Sequence, residues 1–290
     1  HHSVLVYNVL ATNEMLRGRI PAAAEEDEDS LIQQLSETYE GVSRKNFQEA
    51  YHDALQIKEE AIGAFNLGML DLKARARVEE LFWATCERIL KIVRELDYVP
   101  DELEGLERQL SDTYYCNLSI FQSIPDHWAV KQLFPTLPIH RLNQRPDRRA
   151  IVADLTCDSD GKIDQFIDLR DVKDVLELHN PGDDQYLLAT FLVGAYQEIL
   201  GDLHNLFGDT DAVHVRHDGD DYRVEHVVEG DTITEALSYV QYSKDRLVAR
   251  VRRAVEVALR ERRLTMAESG RFMKRYLEAL EGYTYLSDDE

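Results

Sequence analysis

The sequence predicts an α+β fold in which a β-domain lies between two helical regions. Apolar residues recur at three- and four-residue steps through much of residues 13–110 and again after residue 231, which indicates amphipathic helices. Between these regions, short apolar runs are broken by Pro, Asp and Gly, a pattern typical of strands and turns. With 290 residues, 44% of them apolar, the chain is long enough to bury a substantial core.

Residues 1–12 form the first predicted segment. The chain opens His1-His2-Ser3 with no initiator Met and runs directly into an apolar stretch from Val4 to Leu10. This stretch is typical of a strand or a buried helix. We expect it to be the end of a connection into the β-domain, so that the chain is a fragment of a longer protein.

Residues 13–110 are predicted to form a helical bundle. After an acidic linker that ends near Asp29, one apolar stripe with helical spacing comprises Phe47, Tyr51, Ala54, Leu55, Ala61, Ile62 and Phe65. A second stripe comprises Val78, Leu81, Phe82, Cys86, Ile89, Val93 and Leu96. The apolar positions of this bundle are interpreted as packing residues.

The β-domain is predicted over residues 111–230. Strand candidates are Ile151 to Leu155 and Tyr186 to Val193. The alternating runs at 212–217 and 222–228 are separated by a segment that contains Asp-Gly, which favours a β-hairpin.

Residues 231–290 are predicted to be a helical extension. Thr232 is followed by Glu235 and Thr265 by Glu268, and this spacing is that of a capping box at the start of a helix.

Charge and cysteine usage exclude several classes of function. Asp and Glu number 55 against 33 Lys and Arg, so the net charge is -22 and phosphate-rich partners such as nucleic acid or acidic membranes are repelled. A small cationic ligand would be attracted, but an acidic surface is also an ordinary route to solubility, and this second interpretation is favoured. The three cysteines are far apart in sequence, which fits a reducing cytoplasm and neither a disulfide framework nor a zinc cluster. No apolar run approaches the roughly 20 residues that span a bilayer.

The first segment with candidate chemistry is the turn after the strand at 151–155. It places Cys157 among the carboxylates of Asp158, Asp160 and Asp164. Nearby negative charge disfavours the thiolate, so Cys157 suits a proton donor better than a nucleophile. The spacing of acids and glycine does not match an EF-hand loop. An acidic turn with an incidental cysteine is the alternative interpretation.

Two further segments contain candidate polar residues. Tyr196 follows Gly194, and a phenol next to flexible backbone can donate to a phosphate oxygen, although a core Tyr is the commoner outcome. His204 and Asp209 offer two metal ligands without a third at suitable spacing, so this spacing does not favour a metal site. Asp126 follows Pro125 and can either cap a turn or bind a cation.

Five strings of the sequence, three of which cover these segments, resemble the biosynthetic arginine decarboxylases, a branch of the ornithine, arginine and diaminopimelate decarboxylase family related to alanine racemase. They occur in the expected order and read YCNLSIFQSIPDHW, LFPTLPIHRL, LTCDSDGKID, FLVGAYQEILGDLHNLFGDT and GYTYL. The resemblance spans essentially the whole chain. It implies a C-terminal β-domain of barrel or sandwich type, with the helical bundle as an insertion and the helical tail as an extension. The family's (β/α)8 barrel, with the lysine that holds pyridoxal 5'-phosphate covalently, is missing from this sequence.

The resemblance also implies roles for individual residues. Cys157 is similar to the thiol that protonates the substrate α-carbon after decarboxylation, and Asp158 resembles the carboxylate that meets the distal cation of the substrate. Tyr196 is similar to the phenol that contacts the cofactor phosphate. Asp126 and His204 are expected in the substrate-binding region. Magnesium is implied by the resemblance alone, and no metal ligands are assigned.

The function expected from this resemblance is conversion of L-arginine to agmatine and carbon dioxide for polyamine synthesis, by a cytoplasmic homo-oligomer with active sites at subunit interfaces. The chain by itself is expected to be inactive. The alternative is a non-catalytic regulatory or assembly partner of a complete decarboxylase. Such a protein would not require Cys157, Asp158 and Tyr196 together.

Overall fold

A computed structural model of the chain describes residues 3–15, 20–25, 27–96, 98–169, 171–182, 184–194 and 196–287. The strands are β1 (Val4–Asn13), β2 (Asp112–Cys116), β3 (Thr136–Pro138), β4 (Arg148–Ala153), β5 (Lys162–Ile163), β6 (Phe166–Ile167), β7 (Val172–Lys173), β8 (Leu176–Leu178), β9 (Leu187–Phe191), β10 (Ala212–Asp218) and β11 (Asp221–Val228). The helices are α1 (Ser30–Gly41), α2 (Phe47–Asn66), α3 (Leu72–Val93), α4 (Leu106–Gln109), α5 (Ile120–Ser123), α6 (Pro125–Val130), α7 (Tyr196–Ile199), α8 (Ile233–Tyr239), α9 (Lys244–Arg260) and α10 (Met266–Leu280). Single 3-10 turns occur at Asp101–Leu103 and His204–Leu206. The predicted α+β class is confirmed, and these elements do not build a (β/α)8 barrel within the described residues.

Helices α1 to α3 pack into the predicted bundle. Asp29 caps α1 by accepting from the Leu31 amide at 2.9 Å, and Asp71 caps α3 by accepting from the Ala74 amide at 2.7 Å. The predicted α3 stripe is confirmed as far as the helix extends, because its members from Val78 to Val93 are buried.

The predicted α2 stripe is only partly correct. Its residues Tyr51, Ala54 and Ala61 are buried, but Phe65 is 39% exposed. Phe65 lies in the last turn of α2, which ends at Asn66, so it is at the edge of the contact between the helices. The buried face of α2 comprises Ala50, Tyr51, Ala54, Ile57 and Ala61.

The β-domain is organised around a seven-stranded mixed sheet. Its strands run in the order β3-β9-β1-β2-β4-β5, and β8 pairs with residues 148–150 of β4. Strand β1 pairs antiparallel with both β2 and β9, while β2 and β4 are parallel. Residues 4–13 therefore occupy the middle of the sheet, and the strand alternative predicted for this stretch is confirmed. One face of the sheet covers a core that includes Tyr7, Tyr114, Val152, Leu178 and Leu188.

The predicted hairpin is confirmed as β10 and β11. Its turn is one residue later than expected, because Asp218 still pairs with Asp221 and only Gly219 and Asp220 connect the strands. Gly219 adopts a φ of +68°, a left-handed conformation that glycine reaches without steric cost.

The C-terminal extension consists of α8, α9 and α10, and both capping boxes are formed. Thr232 and Thr265 each accept from the backbone amide three residues later at 3.3 Å. In return, Glu235 and Glu268 each accept from the amide of the capping residue at 2.8 Å, which lowers the pKa of both carboxyl groups. After α10 the chain turns back to the β-domain.

Candidate active site

The turn that follows β4 is organised by a buried carboxylate. Asp154 is 3% exposed, and its Oδ1 accepts from the Thr156 amide at 2.8 Å and from the Thr156 hydroxyl at 2.7 Å. Its Oδ2 accepts from the Ile120 amide at 2.9 Å, at the start of α5. Because a buried carboxylate is stable only when it is hydrogen-bonded, Asp154 fixes the turn against α5.

Gly161 closes the same turn. Its carbonyl accepts from the Asp154 amide at 2.8 Å, and its own amide donates to the Asp158 carbonyl at 3.1 Å. A Cβ at this position would overlap Asp154 Oδ1 and Thr156 Oγ1, so the turn requires glycine here. The loop at 154–161 is therefore a rigid platform for Cys157 and Asp158.

Cys157 and Asp158 lie on the outer side of this platform. Cys157 is exposed, and its Sγ accepts from Asn205 Nδ2 at 3.1 Å. Asp158 Oδ2 lies 3.1 Å from His204 Nε2, and the two side chains are about one third exposed. The thiol, carboxylate, imidazole and carboxamide thus form one group with access to solvent.

The segment at 203–207 supplies two members of this group from the opposite side. The ring of His204 lies against that of Phe121, with centroids 4.5 Å apart, which places the imidazole between an apolar wall and Asp158. Asn205 and Leu206 both adopt left-handed backbone conformations, with φ of 59° and 64°. These conformations turn the segment so that adjacent residues reach neighbouring positions on the Cys157 turn.

Asp126 and Tyr196 belong to an adjacent unit formed by α6 and α7. Asp126 Oδ2 accepts from Gln197 Nε2 at 2.6 Å, and the Asp126 amide donates to Gln197 Oε1 at 3.1 Å. Gln197 is buried, so this reciprocal pair joins the two short helices. Tyr196 is the first residue of α7 and is 73% exposed, so its phenol is accessible to a ligand or another surface.

A second layer of contacts supports the loop behind His204. Gln122 donates from Nε2 to Asp209 Oδ1, and the backbone of Gly201 approaches Gln122 closely. Burial, followed by the nearby Asp231 carboxylate, raises the pKa of Asp209, and the donation from Gln122 opposes that shift. Asp209 contacts Gln122, whereas His204 faces Asp158. The two candidate metal ligands are therefore directed to different residues and not to a common point. Within the described part of the chain, no group of three or more His, Cys, Asp or Glu side chains is placed to hold a metal ion.

The C-terminal segment completes this layer. The Tyr285 hydroxyl donates to the Gly208 carbonyl at 2.9 Å, and the Gly208 amide donates to Thr284 Oγ1 at 3.1 Å. Asn117 exchanges two hydrogen bonds with the backbone of Leu286, at 2.8 Å and 3.2 Å. The end of the chain therefore fixes two segments that flank the Cys157 turn.

The structure brings together three of the five predicted site residues. Cys157, Asp158 and His204 form one group, whereas Asp126 and Tyr196 lie in the α6 and α7 unit. Three further residues were missed by the sequence analysis and are Asp154, Gln197 and Asn205. Gln197 and Asn205 lie within the FLVGAYQEILGDLHNLFGDT string, and Asp154 lies just before the LTCDSDGKID string, so their place in or next to a quoted motif was the available signal.

Two family models match separate parts of the chain. Residues 25–107 match the arginine decarboxylase helical bundle domain, and residues 233–286 match the arginine decarboxylase C-terminal helical extension. A biosynthetic arginine decarboxylase from Nostoc sp. is 55% identical over 99% of this chain and 42% of its own length. The protein of the same description from Gloeobacter violaceus is 55% identical over 100% of this chain and 46% of its own length. The chain spans less than half the length of these relatives.

A solved structure matches the same extent of the chain. The biosynthetic arginine decarboxylase SpeA from Campylobacter jejuni aligns with a TM-score of 0.76 and 27% identity, over 98% of this chain and 45% of that one. The family models, the curated relatives and this solved structure place the chain among the families of amino-acid decarboxylases. Within that class, the chain belongs to the biosynthetic arginine decarboxylase family, as its sequence motifs predict. Among the residues that the structure describes, none of the helices has the length and apolar character to cross a membrane.

Proposed function

We propose that this chain provides part of the active site of a pyridoxal-phosphate-dependent arginine decarboxylase, which forms agmatine and carbon dioxide from L-arginine for polyamine synthesis. The observation that carries the proposal is the exposed Cys157 thiol beside the Asp158 carboxylate on a turn fixed by Asp154. The relatives named above, which are biosynthetic arginine decarboxylases, support the same reaction.

The proposed roles are those that the family resemblance implies, and the chemistry of each side chain supports them. Cys157 holds a transferable proton at Sγ and delivers it to the substrate α-carbon after carbon dioxide leaves. Asp158 binds the guanidinium of arginine, because a carboxylate and a planar cation with several donors form charge-assisted hydrogen bonds. His204 lines this site and orients Asp158 through the contact at 3.1 Å. Asp126, which is hydrogen-bonded to Gln197, is assigned to the substrate region on the family resemblance.

The residues present fit one part of a pyridoxal phosphate site. Pyridoxal phosphate, when bound, supplies the electron sink for loss of carbon dioxide. Tyr196, with its exposed phenol, is suited to donate to a phosphate oxygen. The family resemblance assigns the covalent lysine to the barrel domain, and Lys162, the lysine of the Cys157 turn, forms an ion pair with Asp164 at 3.5 Å. Magnesium is proposed on family resemblance alone, with no ligands assigned.

The exposure of the site favours assembly with another surface. Cys157 and Tyr196 are open to solvent, while decarboxylation requires that water be excluded from the reacting carbon. A homo-oligomer in the cytoplasm, in which the site is completed across a subunit interface, meets this requirement. On this basis we expect the chain alone to form no agmatine.

Complementation tests the proposal. The chain is mixed with a full-length relative whose cysteine equivalent to Cys157 is replaced by Ala, and agmatine formation from arginine is measured. We expect activity to be recovered with the wild-type chain and to remain absent with a Cys157→Ala chain. Absence of recovery with a chain that circular dichroism shows to be folded would contradict the proposal. Equal stimulation by both chains would instead favour the assembly-partner alternative, because that role does not use the thiol.

A further inference from the structure

We propose that Asn205 is a further catalytic residue, which donates from its side-chain amide to Cys157 Sγ and stabilises the thiolate left after proton transfer. This inference rests on the function proposed for Cys157. Its structural basis is the 3.1 Å distance between Asn205 Nδ2 and Cys157 Sγ, the one side-chain hydrogen bond to this thiol in the described structure.

The backbone at Asn205 is arranged to present this amide. Its φ and ψ of 59° and 20° lie in the left-handed region, which Asn enters more readily than other residues with a Cβ. Leu206 follows in the same region with φ of 64°, a conformation that is costly for leucine. Two consecutive left-handed residues persist only where the surroundings impose them, so this loop is held in a strained shape.

The contacts around the loop supply that constraint. The Leu206 amide donates to the Leu203 carbonyl at 2.9 Å, and His204 lies between Phe121 and Asp158. At the far end, Gly208 is bound by the side chains of Thr284 and Tyr285. The loop is thus fixed on both sides of Asn205, and its carboxamide is directed to the sulfur.

The chemistry of proton delivery requires a donor at this position. When the S–H bond of Cys157 breaks and a C–H bond forms at the substrate, the electron pair stays on Sγ and a thiolate results. The charged residues that follow Cys157 on its own turn are Asp158 and Asp160, and both are acidic, so they do not neutralise this new negative charge. On the opposing loop, His204 is directed to Asp158. The carboxamide of Asn205 donates without carrying a proton that competes with the transfer, and its hydrogen bond strengthens when sulfur becomes charged.

Alkylation of the folded chain by iodoacetamide tests the proposal without cofactor or substrate. Cys86 and Cys116 are 0% exposed, so modification of the folded chain reports on Cys157, and mass spectrometry verifies the site. Asn205→Gly keeps the left-handed backbone and removes the donor. We expect it to slow alkylation about 3- to 10-fold near neutral pH and to shift the rate profile to higher pH, as loss of a hydrogen bond to a charged group predicts.

Two further variants make the result specific. Asn205→Asp also tolerates the left-handed backbone but places a carboxylate at the sulfur, so it is expected to slow alkylation more than Asn205→Gly. Leu206→Gly relieves the neighbouring left-handed residue without removing the amide, and it is expected to react at the wild-type rate. Wild-type rates in both Asn205 variants, with circular dichroism showing that they are folded, would overturn the proposal.

The outcome is separable from that of the proposed function. If Asn205→Gly is alkylated more slowly but complementation fails, the hydrogen bond from Asn205 to the thiol is supported and the decarboxylase role is rejected. Complementation by the wild-type chain with unchanged alkylation in the variants would reject Asn205 alone. Where both succeed, Asn205→Gly is expected to lower kcat in the complementation assay more than it raises KM, because the stabilised charge develops during the reaction.

Discussion

Three carboxylates at and around the site, those of Asp154, Asp158 and Asp209, lie in different environments. Asp154 is buried and accepts from amide and hydroxyl donors, whereas Asp158 is about one third exposed and paired with an imidazole. Asp209 is in a third environment. Burial and the neighbouring Asp231 raise its pKa, and the side chain of Gln122 offsets part of that effect.

The raised pKa of Asp209 predicts a specific dependence of stability on pH. The folded state binds this proton more tightly than the unfolded state, so the stabilising contribution is complete below the unfolded pKa and is lost as pH rises through the folded value. Asp209→Asn removes the titration and keeps an oxygen that can accept from Gln122. The free energy of unfolding of this variant minus that of the wild-type protein is therefore expected to be larger at about pH 7 than at about pH 4.

Urea unfolding followed by circular dichroism at the two pH values measures this effect. Asp220→Asn, in the exposed hairpin turn, is the matched control and removes the same charge from an open position. A difference between wild type and Asp209→Asn that stays constant with pH, or that matches the control, would show that Asp209 does not titrate in the folded state as described.

Features of the site that consecutive residues form could be predicted from the sequence, whereas contacts between distant residues could not. The Cys157 turn was predicted because its acids, glycine and preceding strand are consecutive in sequence. The contact between Asn205 and Cys157 joins residues 48 positions apart and depends on a left-handed loop, so no spacing in the sequence indicates it. Likewise, the role of Asp154 follows from its hydrogen bond to the Ile120 amide rather than from its place after a strand.

At the scale of elements, the helical bundle has its own core. Helices α1, α2 and α3 enclose a cluster that includes Leu35, Ala54 and Leu81, all of them 0% exposed. This cluster is separate from the core beneath the main sheet, which contains Tyr114 and Leu188. Substitutions in the bundle core are therefore expected to act on the stability of the bundle rather than on the geometry at Cys157.

Leu81→Ala tests the contribution of that core. Removing a completely buried leucine loses apolar burial and leaves a cavity, so a destabilisation of about 2 to 5 kcal/mol is expected. The control is Leu67→Ala, because Leu67 is 75% exposed and its loss should change stability by no more than about 0.5 kcal/mol. Chemical denaturation followed by helical circular dichroism compares the two. Equal effects would mean that the packing around Leu81 is not as the structure describes.

The elements that were predicted are those with a repeated signal. The apolar stripe of α3, the capping boxes at Thr232 and Thr265 and the alternation of β10 and β11 each extend over enough residues to be recognised. Strands β5, β6 and β7 are two residues long and have no periodicity to detect. For β1, a continuous apolar run fits a strand or a buried helix equally, and its pairing with β2 and β9 decides the matter.

Across the whole molecule, the C-terminal extension is coupled to the site by the last described residues. Thr284 and Tyr285 bind the two backbone groups of Gly208, and Leu286 exchanges hydrogen bonds with Asn117. Asn117 and Leu286 are 169 positions apart, so these hydrogen bonds connect the C-terminal segment to the residue that follows β2. Burial raises the pKa of the Tyr285 phenol, which keeps this group a hydrogen-bond donor at neutral pH.

Removal of the residues after Tyr283 is therefore expected to loosen the site without unfolding the rest of the protein. The truncation deletes the partners of Gly208 and Asn117, so amide hydrogen exchange should become faster over residues 204–209 and around Asn117. Exchange in α1 to α3 should be unchanged, since that bundle has a separate core, and it serves as an internal reference.

Tyr285→Phe refines this experiment, because it keeps the ring beside Phe207 and removes the hydroxyl, which donates to Gly208 and also hydrogen-bonds with Ser123. It should accelerate exchange at residues 204–209 less than the truncation does. The Asn205 contact depends on the same loop, so alkylation of Cys157 should also be slower in the truncated chain than in the wild-type chain. Faster exchange in the bundle to the same extent as in the loop would indicate general destabilisation, and unchanged exchange in the loop would show that the C-terminal segment does not hold it.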